Sequence, residues 1–330
     1  MIRRGISAFA FSVAMILPAA AQEADRSDWP NTVVIGTASP GGTHAIYGQG
    51  VASVISSHVG LPASTQQTQG PTQNLVLVHS DRINVGLTTM GPAYEAMQGE
   101  LDLDPGTEYN DVRALFPMYI TPFQAAALER SGIGSVSDLT GRTVGAGPRG
   151  GTGGTYWARW FETLGVEATV QNGPLGDQTS QLADGRLDAV TTAAGLPIAA
   201  FSELETLAPT VFFGLTQNEI DKLRDTVPYA VEFTIPAGTY SSQAEDIQTL
   251  AMWNVAFASE RMPESLAYEI VKAVFENQEE LVATHASAKE TLLENVSANE
   301  FMPYHPGAVR FYREQGIELP DAVIPVEMAE

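Results

Sequence analysis

The chain has 330 residues, no cysteine and a formal net charge of −22. Disulfide staples and cysteine-built metal sites are therefore excluded, and so acidic a surface repels nucleic acid and anionic lipid headgroups. The length is more than one ordinary core serves and points to two lobes.

Residues 1–21 read as a secretory signal peptide. Arg3 and Arg4 lead, Ala8 to Leu17 are apolar but too few to span a bilayer, and Ala19-Ala20-Ala21 offers a cleavage site before Gln22. No cysteine follows for a lipid anchor. The expected product is a soluble, exported, periplasmic protein.

The next residues alternate between strand and helix patterns. Thr32 to Ile35 reads as a strand, Thr43 to His58 as a helix, Ala63 to Thr68 as a strand and Thr72 to Ser80 as a helix. Asn84 to Thr88 and Gly91 to Gln98 repeat the pair. Such alternation predicts a parallel sheet with right-handed crossovers. Val112 to Tyr119 and Phe123 to Leu128 read as two strands parted by Thr121-Pro122, where the chain is expected to change lobes.

A second series follows. Ser135 to Leu139 is a helical turn, Arg142 to Ala146 a strand, and Thr152 to Leu164 a helix with Trp157, Trp160, Phe161 and Leu164 on one side. Ala168 to Gln171, Asp177 to Asp184 and Leu187 to Thr192 continue the alternation. Pro197 to Leu204 reads as a helix with proline in its first turn. Ala230 to Ile235 is a returning strand and Thr249 to Ala258 a long one. Pro263 to Asn277 is amphipathic, and helices are expected at Glu279 to Thr284, Ala288 to Asn295 and His305 to Gln315. These patterns give an α/β fold with lobe 1 at residues 22–118 and 232–330 and lobe 2 at residues 119–231.

Two glycine-rich turns carry the functional signal. GTASPGGTH, Gly36 to His44, and GAGPRGGTGGTYW, Gly145 to Trp157, each follow a strand and open a helix. A helix start has backbone N–H groups without intrahelical partners and the positive end of the dipole, which together make an anion site. One such turn per lobe suggests closure on a small acidic ligand. GAGPRG also matches a dinucleotide fingerprint, but the next strand ends in Gln171-Asn172 where an acid is required, so no nucleotide cofactor is expected. Thr68 to Leu75, TQGPTQNL, is a further polar turn. Thr88-Thr89 and Thr191-Thr192 stand at strand ends, where open α/β sheets bind ligands.

The ligand contacts expected from the first lobe are Thr37, Gly42, Thr43, His44, Tyr47, Gln73, Asn74 and Thr89. From the second they are Arg149, Gly151, Thr152, Gly153, Thr192 and Gly195, with Arg149 as a bidentate carboxylate partner. No catalytic residue is assigned. H-E-x-x-H, G-x-S-x-G and a P-loop lysine are missing, the five histidines are scattered, and no metal or cofactor is expected.

Ordered blocks of this sequence resemble the TAXI family of TRAP-transporter solute receptors. They are GTASPGGTHA from Gly36, TQGPTQNL from Thr68, AYEAMQG from Ala93, GIGSVSDLTGRTVGAG from Gly132, DGRLDAVTTAAGLP from Asp184 and HPGAVRFYREQG from His305. The His305 block reads as structural. His44 and Ala45 stand where that family usually has an aromatic pair, and Pro71 and Gln73 where it has Ser and Glu. The resemblance implies a type II periplasmic-binding-protein fold of two hinged α/β lobes around a ligand cleft. It implies a monomer that captures a small organic acid, such as glutamate or 2-oxoglutarate, and delivers it to a sodium-coupled TRAP permease. An exported enzyme or a ligand sensor using the same cleft are the alternatives.

Overall fold

The computed structural model describes residues 26–227 and 229–328. The signal-peptide reading of residues 1–21 lies outside them. Two α/β halves share one ten-stranded sheet. The first half begins β1 (Val33–Gly36), α1 (Thr43–Val54), β2 (Ala63–Gln66), α2 (Pro71–His79), β3 (Val85–Thr89) and α3 (Met90–Met97). β1 lies between β2 and β3 and is parallel to both. The chain then runs through β4 (Val112–Leu128) into the second half, which is β5 (Thr143–Gly145), α4 (Thr152–Leu164), β6 (Thr169–Gln171), α5 (Leu175–Ala183) and β7 (Ala189–Ala193). There β5 lies between β6 and β7, parallel to both. The two halves thus use one topology, and in each the central strand is the point where successive crossovers part to opposite sides. Ligands of open α/β sheets bind at that point, beyond the carboxyl ends.

The remaining elements are α6 (Ala199–Leu207), β8 (Thr210–Phe213), α7 (Gln217–Arg224), β9 (Val231–Ile235), β10 (Ile247–Ser259), α8 (Glu264–Glu276), α9 (Gln278–Thr284) and α10 (Pro306–Glu314). β4 and β10 are antiparallel neighbours that pass between the halves. Up to Pro122, β4 pairs with β10, and from Phe123 it pairs with β7. The two strands expected around Thr121-Pro122 are therefore one buried 17-residue strand. Proline is tolerated because it stands where the strand exchanges partners.

Two other expectations are corrected, and one pair of elements is new. Pro197 precedes α6, which starts at Ala199 after the N-cap Ile198, and the Leu196–Pro197 peptide is cis. The helix expected over Ala288 to Asn295 is two 3₁₀ turns, Ala286–Glu290 and Leu293–Ala298. Between them buried Thr291 donates to Met118 O and meets the Tyr47 hydroxyl, which draws the backbone out of helical geometry. β8 and α7 were not anticipated, although Thr216 and Glu219 form a capping box at the start of α7.

The cores divide on either side of the shared strands. One gathers Ile35, Val85, Leu87, Phe116, Phe257, Ile270 and Tyr312. A second gathers Phe123, Trp157, Trp160, Phe161, Leu250 and Met252. A third, including Leu175, Val190, Phe201 and Tyr240, belongs to the same half as the second. Away from the sheet the halves also meet where α3 faces α4. Glu95 is buried there and accepts hydrogen bonds from Tyr156 Oη at 2.7 Å, Arg159 Nη1 at 2.7 Å and Tyr229 Oη at 3.1 Å. Arg159 also reaches Asp102 at 2.8 Å.

Candidate functional site

The two glycine turns face each other. β1 delivers the first to the start of α1, and β5 delivers the second to the start of α4. The N-caps are Gly42 and Gly151, and neither helix has a side-chain cap. The amides of Thr43 and His44 on α1, and of Thr152, Gly153 and Gly154 on α4, have no hydrogen-bond partner among the described residues. Both helix starts line one cavity, together with Ser39, Tyr119 and Thr192. Its volume is about 40 Å³, where one buried water needs roughly 10–15 Å³.

The cleft is shut. Thr43 Oγ1 donates to Gly195 O at 2.7 Å, and the hydroxyls of Thr89 and Thr152 meet at 2.7 Å. Thr72 N donates to Gly150 O at 3.1 Å and Ala200 N to Gly41 O at 3.4 Å. Every one of these bonds joins one half to the other. The approach needs glycine at Gly70, where φ is +117° and a Cβ would come 3.1 Å from Gly150 O.

His44 ties the cavity to the crossing strands. Its Nε2 lies 3.1 Å from Asn254 Oδ1. Asn254 Nδ2 donates to Tyr119 O and Thr121 Oγ1, so Oδ1 is the acceptor and the imidazole carries its proton on Nε2. Burial holds the His44 pKa down to about 4, against the opposing effect of the Asn254 bond. Asn254 sits at an irregularity in the β4–β10 pairing, between Trp253 and Val255.

Of the sequence-derived contacts, Gly42, Thr43, His44, Gly151, Thr152, Gly153 and Thr192 line the cavity. Thr89 and Gly195 lie on the seam between the halves. Five others stand elsewhere. Thr37 donates to Gln66 O, and Tyr47 is buried against Tyr119 with its hydroxyl on Thr291. Gln73 Oε1 accepts from Gln69 N and so braces its own turn. Asn74 is wholly buried, with Nδ2 on Gly36 O, Thr37 O and Leu87 O, and Oδ1 accepting from Thr68. Its amide ties the ends of β1 and β3 together and has no donor left for a guest. Arg149 is exposed and lines an outer groove with Asp102 and Arg159. The turn closed by Gly151 N on Pro148 O sends Pro148 inward and Arg149 out.

Sequence reasoning missed Ser39, Tyr119 and Asn254. Ser39 lies inside the first glycine turn and was legible by position. Tyr119 and Asn254 lie on long crossing strands whose apolar pattern gives no sign of a site.

A protein-family model matches residues 35–316, that of the NMT1-like family. The chain belongs to the NMT1-like family. Solved structures agree on the fold. MatC from Rhodopseudomonas palustris with bound malate matches with a TM-score of 0.53 at 13% identity, over 78% of this chain and 88% of that one. Rpa4515 of R. palustris with adipate gives 0.50 at 17% identity, over 78% and 84%. A structure described as a periplasmic transporter gives 0.51 at 12% identity, over 87% and 93%. This NMT1-like chain therefore has the two-lobed periplasmic-binding-protein fold. No helix of the described residues is long and apolar enough to cross a membrane, and no described cluster of His, Asp or Glu is arranged to hold a metal.

Proposed function

We propose that this chain is an exported solute-binding receptor that closes its lobes on a small carboxylate. One observation carries the reading: two uncapped helix starts, one from each half, present free amides to the same cavity. A guest held by both sets binds the closed form better than the open one, and that difference in affinity drives closure. Malate on MatC and adipate on Rpa4515 support an organic acid as the class of guest. The TAXI-like blocks support delivery to a sodium-coupled TRAP permease by a monomer. The proposed lobes are residues 22–118 with 232–330, and residues 119–231. The packing of Leu250 and Met252 in the second-half core supports a return crossing nearer residue 253.

Mass spectrometry of small molecules released from protein purified without refolding tests this reading. A stoichiometric organic acid is expected. Protein that carries no acid, and whose melting temperature no acid raises, contradicts it, since a guest that binds only the fold must stabilise it.

A further inference from the structure

We infer that the guest is a short acid bearing a single carboxylate, with an oxygen on C2 and no ammonium group. This rests on the receptor reading above and narrows it. None of the residues lining the cavity is Asp, Glu, Lys or Arg. The charge facing the guest therefore comes from the two helix starts, each equivalent to roughly half a positive charge. Together they balance about one carboxylate. A second carboxylate would be buried without a partner, and an ammonium would lie between two positive ends with no acid to receive it.

The hydroxyls of the cavity give the second observation. Ser39, on the first half, is 5% exposed, and Thr192, on the second, is also 5% exposed. Neither hydroxyl has a hydrogen-bond partner among the described residues, and both side chains line the cavity. These hydroxyls open onto the cavity with no protein partner among the described residues, one from each half, so their bonding capacity is free for polar guest atoms. A hydroxyl both donates and accepts, and thus suits a 2-hydroxy or 2-oxo oxygen. The cavity volume of about 40 Å³, room for roughly three waters, favours a short carbon chain.

Isothermal titration of the mature protein with five matched acids tests the assignment. Lactate and pyruvate are the probes. Alanine puts an ammonium in place of the C2 oxygen, malate adds the second carboxylate, and propionate removes the C2 oxygen. Lactate or pyruvate is expected to bind at least about tenfold more tightly than the other three, the size of one well-made hydrogen bond. Alanine, malate or propionate binding as tightly as the probes overturns the assignment and leaves the receptor reading intact. Binding of none of the five overturns it too, and a wider set of amino acids and dicarboxylates then tests the receptor reading itself. Ser39→Ala and Thr192→Val are each expected to weaken lactate about tenfold while leaving propionate unchanged. Variants that bind lactate as the parent does contradict the role given to the hydroxyls.

Discussion

At the cleft the halves touch through backbone and short hydroxyls: Gly41, Gly70 and Gly150 bring main chain to main chain, and Thr89 meets Thr152. At the α3–α4 contact they touch through long side chains, with the Glu95 carboxylate held by Tyr156, Arg159 and Tyr229. The first contact leaves amides and hydroxyls unused, and the second leaves none of its principal groups unpaired. A surface meant to receive a guest must keep hydrogen-bonding capacity in reserve. A surface meant only to hold two bodies together satisfies it internally.

The largest effect is expected at the self-satisfied contact. Glu95→Ala removes three hydrogen bonds to a buried carboxylate while Arg159 keeps Asp102 and the Tyr156 and Tyr229 hydroxyls keep each other, and should cost about 3 kcal/mol in urea unfolding. A loss under 1 kcal/mol would show that the cluster adds little to holding the halves together.

Next comes acid. Burial holds the His44 and His305 pKa values down to about 4, against an ordinary 6.5. The unfolded chain takes up protons that the fold refuses between those values, so stability falls as pH drops from 6.5 toward 4. Each histidine contributes up to about 3 kcal/mol. His305 has a visible reason: Nε2 donates to Met262 O while Nδ1 accepts from Gly307 N at the head of α10, which only the neutral ring can do. His44→Gln should flatten the slope of stability against pH over this window. An unchanged slope would remove His44 as a source.

Smaller effects probe the glycine seam. Gly70→Ala puts a Cβ at positive φ and 3.1 Å from Gly150 O. The strain at positive φ should cost about 1–3 kcal/mol of stability with or without guest, and the obstruction at Gly150 O, which exists only when the cleft is shut, should weaken guest binding in addition. Lost stability with unchanged affinity would argue against that obstruction. Thr89→Val removes one bond across the seam and should weaken binding by about 1 kcal/mol, checked by titration.

Much of this frame was legible. The glycine turns, the strands before them and the start of α4 at Thr152 follow from local chemistry, because glycine and cap positions act within a few residues. Asn74 and Arg149 stand outside the cavity for a reason local patterns do not hold. The buried amide of Asn74 is taken up by carbonyls of Gly36, Thr37 and Leu87, and the Pro148–Gly151 turn points Arg149 outward. Tyr119 and Asn254 enter the site only because β4 and β10 cross between the halves, a placement set by tertiary pairing.

A crystal structure with the guest in place tests the central claim most directly. One carboxylate should lie within about 3 Å of amides at both helix starts, Thr43–His44 and Thr152–Gly154. A carboxylate seated in the outer groove beside Arg149, or touching the amides of one half alone, would contradict it.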